Sequence, residues 1–147
     1  MVREFVVAVT VDRPLSEVFA FVADHRNVQP LLAGVRRWEP LGRGPAREGA
    51  RYDVEIEVIG LRWADVLRIT TWRPGHAIEF VNEKAPIRVE GRWRFREALD
   101  GTRVELRIRY EPPGRALGAL LAAPIERAAQ SQLQAAMREL KSTLEEV

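Results

Sequence analysis

Beyond Gly34 the chain reads as short alternating segments separated by closely spaced turn signals, and that texture leaves few folds open. The segments are Val35 to Leu41, Ala50 to Ile59, Leu61 to Trp72, Ala77 to Val81, Ile87 to Glu97 and Thr102 to Tyr110. Between them stand Gly42-Arg43-Gly44-Pro45, Gly60, Pro74-Gly75, Glu83-Lys84-Ala85-Pro86 and Asp100-Gly101. Connections this short leave no room for crossover helices, so they predict an antiparallel meander rather than βαβ units. Asp100-Gly101 between two alternating runs predicts a tight hairpin with those two residues as its loop.

Helical patterns flank the meander. Phe5 to Val11 is β-branched and aromatic, a buried first strand. Pro14 then opens a helix as its first residue, with Leu15, Val18, Phe19 and Val22 on one face. Asp24-His25-Arg26-Asn27 breaks it, and Val28 to Ala33 forms a second short piece ended by Gly34. After Glu111-Pro112-Pro113-Gly114 comes a long helical segment in which Pro124 marks a start or a kink. Beyond it Ile125, Ala128, Ala129, Leu133, Ala136, Met137, Leu140, Leu144 and Val147 make one apolar stripe. The expected fold class is α+β: about seven antiparallel strands curved around a long C-terminal helix, with two short helices after strand 1. At 147 residues one domain, 1–147, is expected.

Composition narrows the chemistry. Without cysteine there are no disulfides, thiolate nucleophiles or cysteine-bound metals. The longest apolar stretches, Phe5 to Val9 and Ala116 to Ile125, fall short of the roughly 20 residues of a spanning helix. No apolar leader precedes the first strand, so a cytoplasmic location is expected. The formal charge is +2 and 21 of the 23 basic residues are arginine, which by itself points to no polyanion.

The segment Val11-Asp12-Arg13-Pro14-Leu15-Ser16-Glu17-Val18-Phe19-Ala20-Phe21-Val22-Ala23-Asp24 resembles the opening of the bacterial polyketide cyclase/dehydrase and lipid-transport families of the START-like (Bet v 1-like) superfamily. Val89-Glu90-Gly91-Arg92-Trp93-Arg94-Phe95, Gly101-Thr102-Arg103-Val104 and Tyr110-Glu111-Pro112-Pro113-Gly114 strengthen the likeness. The resemblance implies a helix-grip fold with a cavity between sheet and C-terminal helix. It implies no single activity, since such folds serve carriers, receptors, aromatase/cyclases and ribosome-associated proteins.

Strand parity independently selects the residues facing that cavity. Val89, Gly91, Trp93 and Phe95 point in, as do Val104, Leu106, Ile108 and Tyr110, and Ile78 with Phe80. Leu61, Trp63, Asp65, Leu67 and Ile69 share one face, on which Asp65 is the odd member. A carboxylate there needs a partner, a solvated mouth, or a bulge that turns it outward. Gly91 leaves ligand volume or permits a bulge or close helix approach. Gln132, inside the apolar arc of the last helix, orients a ligand or bonds nearby backbone. Trp63, Asp65, Phe80, Trp93, Tyr110 and Gln132 are therefore the candidate ligand-binding residues, with Trp63 and Asp65 nearest its polar atoms. Ala128, Ala129 and Ala136 are too short to fill the space opposite a curved sheet, which favours an open cavity over a solid core.

The expected ligand is small and hydrophobic, lipid-, quinone- or polyketide-like, bound without metal or organic cofactor. His25 and His76 lack the spacing of a zinc pair, and Ser16, Ser131 and Ser142 sit in no nucleophile elbow. An aromatase/cyclase with Asp65 as base and Tyr110 as acid is the enzymatic alternative, with Arg37 the one strand arginine of ambiguous parity. A third reading comes from the outer face. With an Asp100-Gly101 loop, Arg96 faces Glu105, Arg94 faces Arg107 and Arg92 faces Arg109, and opposed like charges suggest an anionic surface or RNA.

Overall fold

The computed structural model describes residues 2–112 and 116–146, with the side chains of 116–122 left aside. Pro113, Gly114 and Val147, which the sequence reading placed in the last break and on the helix stripe, lie outside the described residues. The order is β1 (Arg3–Val11), α1 (Leu15–Ala23), α2 (His25–Val28), a 3-10 turn (Gln29–Leu31), β2 (Val35–Pro40), β3 (Arg51–Val58), β4 (Leu61–Arg73), β5 (Ala77–Asn82), β6 (Val89–Ala98), β7 (Gly101–Tyr110) and α3 (Ala116–Glu145). The seven strands form one antiparallel sheet in the order β1-β7-β6-β5-β4-β3-β2. The expected α+β architecture is therefore present, with β1 brought beside β7 at one edge.

Two local features, at Pro14 and in the β6–β7 hairpin, differ from expectation, while Pro124 is not the helix start, one of its two expected roles. Pro14 is extended, with ψ 149°, and precedes the helix rather than opening it; its carbonyl accepts from Val18 N–H. Pro124 lies inside α3, which continues through it. In the β6–β7 hairpin Ala98 pairs with Gly101, so the loop is Leu99-Asp100 and the register moves by two residues. Gly101 belongs to the strand because it packs edge-on against the backbone of Val11, a position that excludes any Cβ. Arg96 consequently faces Arg103, Arg94 faces Glu105, Arg92 faces Arg107, and Glu90 faces Arg109.

The sheet closes on α3 from both edges. Glu126, Gln134 and Lys141 of α3 hydrogen-bond along β1, to the Arg3 side chain and to the Ala8 and Thr10 carbonyls. On the opposite edge Gln132 Oε1 lies 2.7 Å from where a Cβ on Gly34 would stand, just before β2. α3 thus runs down the concave face, from Tyr110 and Arg3 at the upper end to Asp12 at the lower end, where Asp12 N–H donates to Glu145.

Candidate functional site

Burial divides the concave face into two halves. In the lower half Val104, Leu106, Phe95, Trp93, Ile69, Ile78, Tyr52 and Val54 are buried against α1, α2 and the C-terminal half of α3. Trp93 belongs here and lines an apolar void of about 10 Å³ with Val22, Leu106, Ala136 and Met137. That volume accommodates one water-sized probe at most, so this half is a packed core despite the short side chain of Ala136. In the upper half the same strands continue with Ile56, Trp63, Leu67, Phe80, Val89, Ile108 and Tyr110, all only half-buried. The boundary is staggered rather than level: half-buried Phe80 faces buried Ile69, half-buried Leu67 faces buried Tyr52, and half-buried Ile108 faces buried Phe5.

Phe80 and Gly91 are cross-strand partners, and a Cβ on Gly91 would collide with the tip of the Phe80 ring, nearest its Cζ. Here no register shift marks a bulge; the missing side chain leaves room for the tip of the Phe80 ring. Trp63 stands opposite Ile56 on the same face. Gln132 is half-buried beside Gly34 and its amide has no hydrogen-bond partner among the described residues.

Asp65 does face inward, opposite Val54, and is 3% exposed. Its oxygens are already occupied: Oδ1 accepts from Val66, Lys84 and Ala85 N–H, at 2.8, 2.9 and 3.2 Å, and Oδ2 from Asn82 Nδ2 at 2.9 Å. Burial pushes its pKa up, but these four donors outweigh it and hold the carboxyl below its ordinary value. A general base working near neutrality needs the opposite shift. Asn82 also donates to the Ile87 carbonyl and accepts from Val89 N–H, so Asp65 and Asn82 together pin the 83–88 loop across the upper end of the sheet.

The polar group at the upper end is one that parity and stripe reasoning passed over. Arg3 and Tyr110 are partners in the β1–β7 ladder. Arg3 grips Glu126 of α3 through Nε and Nη2, at 3.1 and 2.9 Å, and Tyr110 Oη donates to Glu126 Oε1 at 2.5 Å. Arg3 holds the Glu126 carboxyl below its usual range. Burial, then Glu126, push the Tyr110 phenol up to about 12. The signal was available: Arg3 shares parity with Phe5 and Val7, and Glu126 falls seven residues before Leu133 and fourteen before Leu140 on the apolar stripe. Glu126→Gln removes the anion that disfavours the phenolate, so the Tyr110 transition in an alkaline ultraviolet titration should fall by roughly one pH unit. Tyr110→Phe identifies that transition, since the chain has two tyrosines; an unmoved transition would remove Glu126 as its cause.

A second polar-aromatic group lines the β2–β3 side. The His25 ring centroid lies 5.6 Å from Trp38 and 5.3 Å from Tyr52, and Trp38 Nε1 is buried without a hydrogen-bond partner among the described residues. Burial is the leading cause of the lowered His25 pKa. Trp38 reaches this face because a register shift between Val35 and Arg37 reverses parity along β2. The same shift turns Arg37 outward to Asp53 and Glu55, at 3.2 and 3.5 Å, which resolves its ambiguous parity against the cavity. Among the described residues no cluster of three metal-ligating side chains occurs. No helix of the described chain is long and apolar enough to cross a membrane.

Residues 2–145 match the family described as polyketide cyclase / dehydrase and lipid transport. Among solved structures the chain is similar to TTHA0849 from Thermus thermophilus, with 24% identity, TM-score 0.77 and 95% of both chains covered. It is also similar to the Zhui aromatase/cyclase from Streptomyces sp. R1128, with 20% identity, TM-score 0.73 and 98% of this chain against 96% of that one. The chain Ara h 8.0201 matches at 14% identity and TM-score 0.68, covering 97% and 99%. At such identities these structures speak for the fold. No curated protein sequence matches the chain.

Proposed function

On the premise that this chain belongs to the polyketide cyclase/dehydrase and lipid-transport family, we propose that it binds a small, mainly hydrophobic molecule in the upper half of its concave face. One observation carries this reading: Trp63, Phe80 and Tyr110 on the inner face are only half-buried, whereas Trp93 and Phe95 on the same face are buried. Trp63 and Phe80 supply apolar walls, Gln132 a free amide, and Tyr110 with Arg3 and Glu126 a polar end against which a hydroxyl or carbonyl can orient. Asp65 acts on the ligand through the loop it holds. Trp93 forms the floor.

Proton-transfer chemistry of the aromatase/cyclase type receives less support from the same residues. Asp65 is saturated and held acidic, and Tyr110 keeps its proton up to about 12. A carrier or sensor needs neither group to titrate.

The test is native mass spectrometry of freshly purified protein with organic extraction, followed by titration of a fluorescent hydrophobic probe into variants. Phe80→Ala and Trp63→Ala should weaken probe binding about tenfold while lowering stability by about 1 to 2 kcal/mol, because both rings are already partly solvated. Trp93→Ala should instead lower stability by about 3 to 5 kcal/mol, as packed-core truncations do. A stoichiometric lipid-, quinone- or polyketide-like molecule would name the ligand class. Protein that carries nothing and rejects every probe would overturn the proposal.

A further inference from the structure

The convex face of the sheet holds a feature that the ligand space does not use. A hollow of about 210 Å³ opens there, bordered by Thr70, Glu79, Glu90, Arg92, Arg107 and Arg109. Arg92 and Arg107 stand directly opposite each other across β6 and β7, a like-charge pairing that weakens a sheet unless something neutralises it.

Elsewhere on this face several arginines meet carboxylates, although Arg88 and Arg94 have no ion-pair partner among the described residues. Arg51 and Arg68 both hydrogen-bond Glu83, Arg37 bonds Asp53, and Arg96 and Arg103 share Glu105. Around the hollow that pattern fails. Arg92 comes no nearer than 3.8 Å to Glu79, Arg107 pairs with Glu4 at 3.1 Å, and Arg109 has no ion-pair partner among the described residues. Arg92 is only a quarter exposed; burial first, then Arg107 and Arg94, push its guanidinium below its ordinary pKa. Three guanidinium forks thus border one concavity with most of their donors unused, an arrangement suited to several oxygens of one anion.

We propose that this hollow binds a compact phosphate group, free or as a phosphomonoester, between Arg92 and Arg107. A phosphate dianion offers oxygens to both forks at once and cancels their repulsion. Arginines also continue without interruption from Arg109 through Arg107, Arg92 and Arg94 to Arg96, so it is the compactness of the hollow, bordered also by Glu79 and Glu90, that favours a small anion over an extended polyanion.

The experiment is calorimetric titration of the purified protein with inorganic phosphate and with a simple phosphomonoester, beside vesicles containing phosphatidic acid and a short single-stranded RNA. Saturable phosphate binding is expected, weakened at least tenfold by Arg92→Gln or Arg107→Gln, since each removes a charge-assisted contact. Arg51→Gln removes the same charge elsewhere and should change binding less than twofold. Melting temperatures check that the variants fold; relieving the Arg92–Arg107 opposition should leave them no less stable. Vesicle binding with the same variant pattern would identify a lipid headgroup as the source of the phosphate. Absence of saturable phosphate binding, equal weakening by Arg51→Gln, or binding confined to RNA would overturn the proposal.

Discussion

Gly101→Ala is expected to lower the melting temperature by roughly 10 °C or more, the largest effect of any single added methyl group on this chain. Two independent penalties coincide there. The backbone of Gly101 has φ +131°, a region L-residues avoid at about 1 to 3 kcal/mol. Its Cβ would overlap the Val11 carbonyl oxygen and come 2.9 Å from Asp12 Cα. Both obstacles are backbone, so no side chain can rotate away. Relief would require parting β1 from β7 where Thr102, fully buried, donates to the Arg13 carbonyl at 2.8 Å. Overpacking of this kind adds about 1 to 3 kcal/mol. Gly49→Ala separates the two terms, because Gly49 has φ +90° with nothing within 4 Å of an added Cβ. Thermal melts of the two variants should therefore differ by the collision alone; equal losses would show that strain accounts for the whole effect.

The same glycine illustrates how far the sequence could be read. Alternation located all seven strands, α1 and α3 because burial on one face imposes period 2 and the grip of α3 imposes period 3.6, whereas α2 (His25–Val28) begins inside the expected Asp24–Asn27 break and a 3-10 turn (Gln29–Leu31) occupies much of the expected Val28–Ala33 helix. Register is another matter. The dipeptide Asp100-Gly101 has the composition of a two-residue loop, and only the contact with Val11, ninety residues away in sequence, shows that Gly101 is needed in the strand. Bulges are equally silent: the shifts at Val35/Arg37 and Ile69/Thr71 set which of Arg37, Trp38 and Trp72 face the core, and nothing local announces them. The candidate site was legible as a face rather than as a set of interactions. Parity put Trp63, Asp65, Phe80, Trp93 and Tyr110 on the inner faces of their strands, yet parity carries no information about height along the strand. Height decides whether a ring such as Trp93 is packed in the floor or, like Phe80, half-solvated above it.

Asp65→Asn carries the second large effect, and it separates a structural carboxylate from a reactive one. Both Asp65 oxygens face donors: three backbone N–H groups and the Asn82 amide. An asparagine keeps the shape but turns an NH2 toward one of these sets, so buried donors meet a donor. Leaving such groups unpaired costs about 1 to 3 kcal/mol each, partly recovered if the 83–88 loop lifts into water. A net loss of about 3 kcal/mol, near 10 °C in melting temperature, is expected. The pH dependence follows from the direction of the pKa shift. The folded-state value lies below the ordinary 3.8, so the unfolded chain binds the proton more readily. Stability from Asp65 is then fully present above about pH 4 and lost as pH falls through the depressed folded value. Wild-type protein should lose stability faster than Asp65→Asn below about pH 4, and the two curves should converge in acid. Loop release would also loosen the upper end of the ligand space, so probe affinity should fall in proportion to the stability of the 83–88 loop, read by amide hydrogen exchange at Lys84 and Ala85. A variant that kept its melting temperature and loop protection but lost ligand turnover would instead make Asp65 a reacting group.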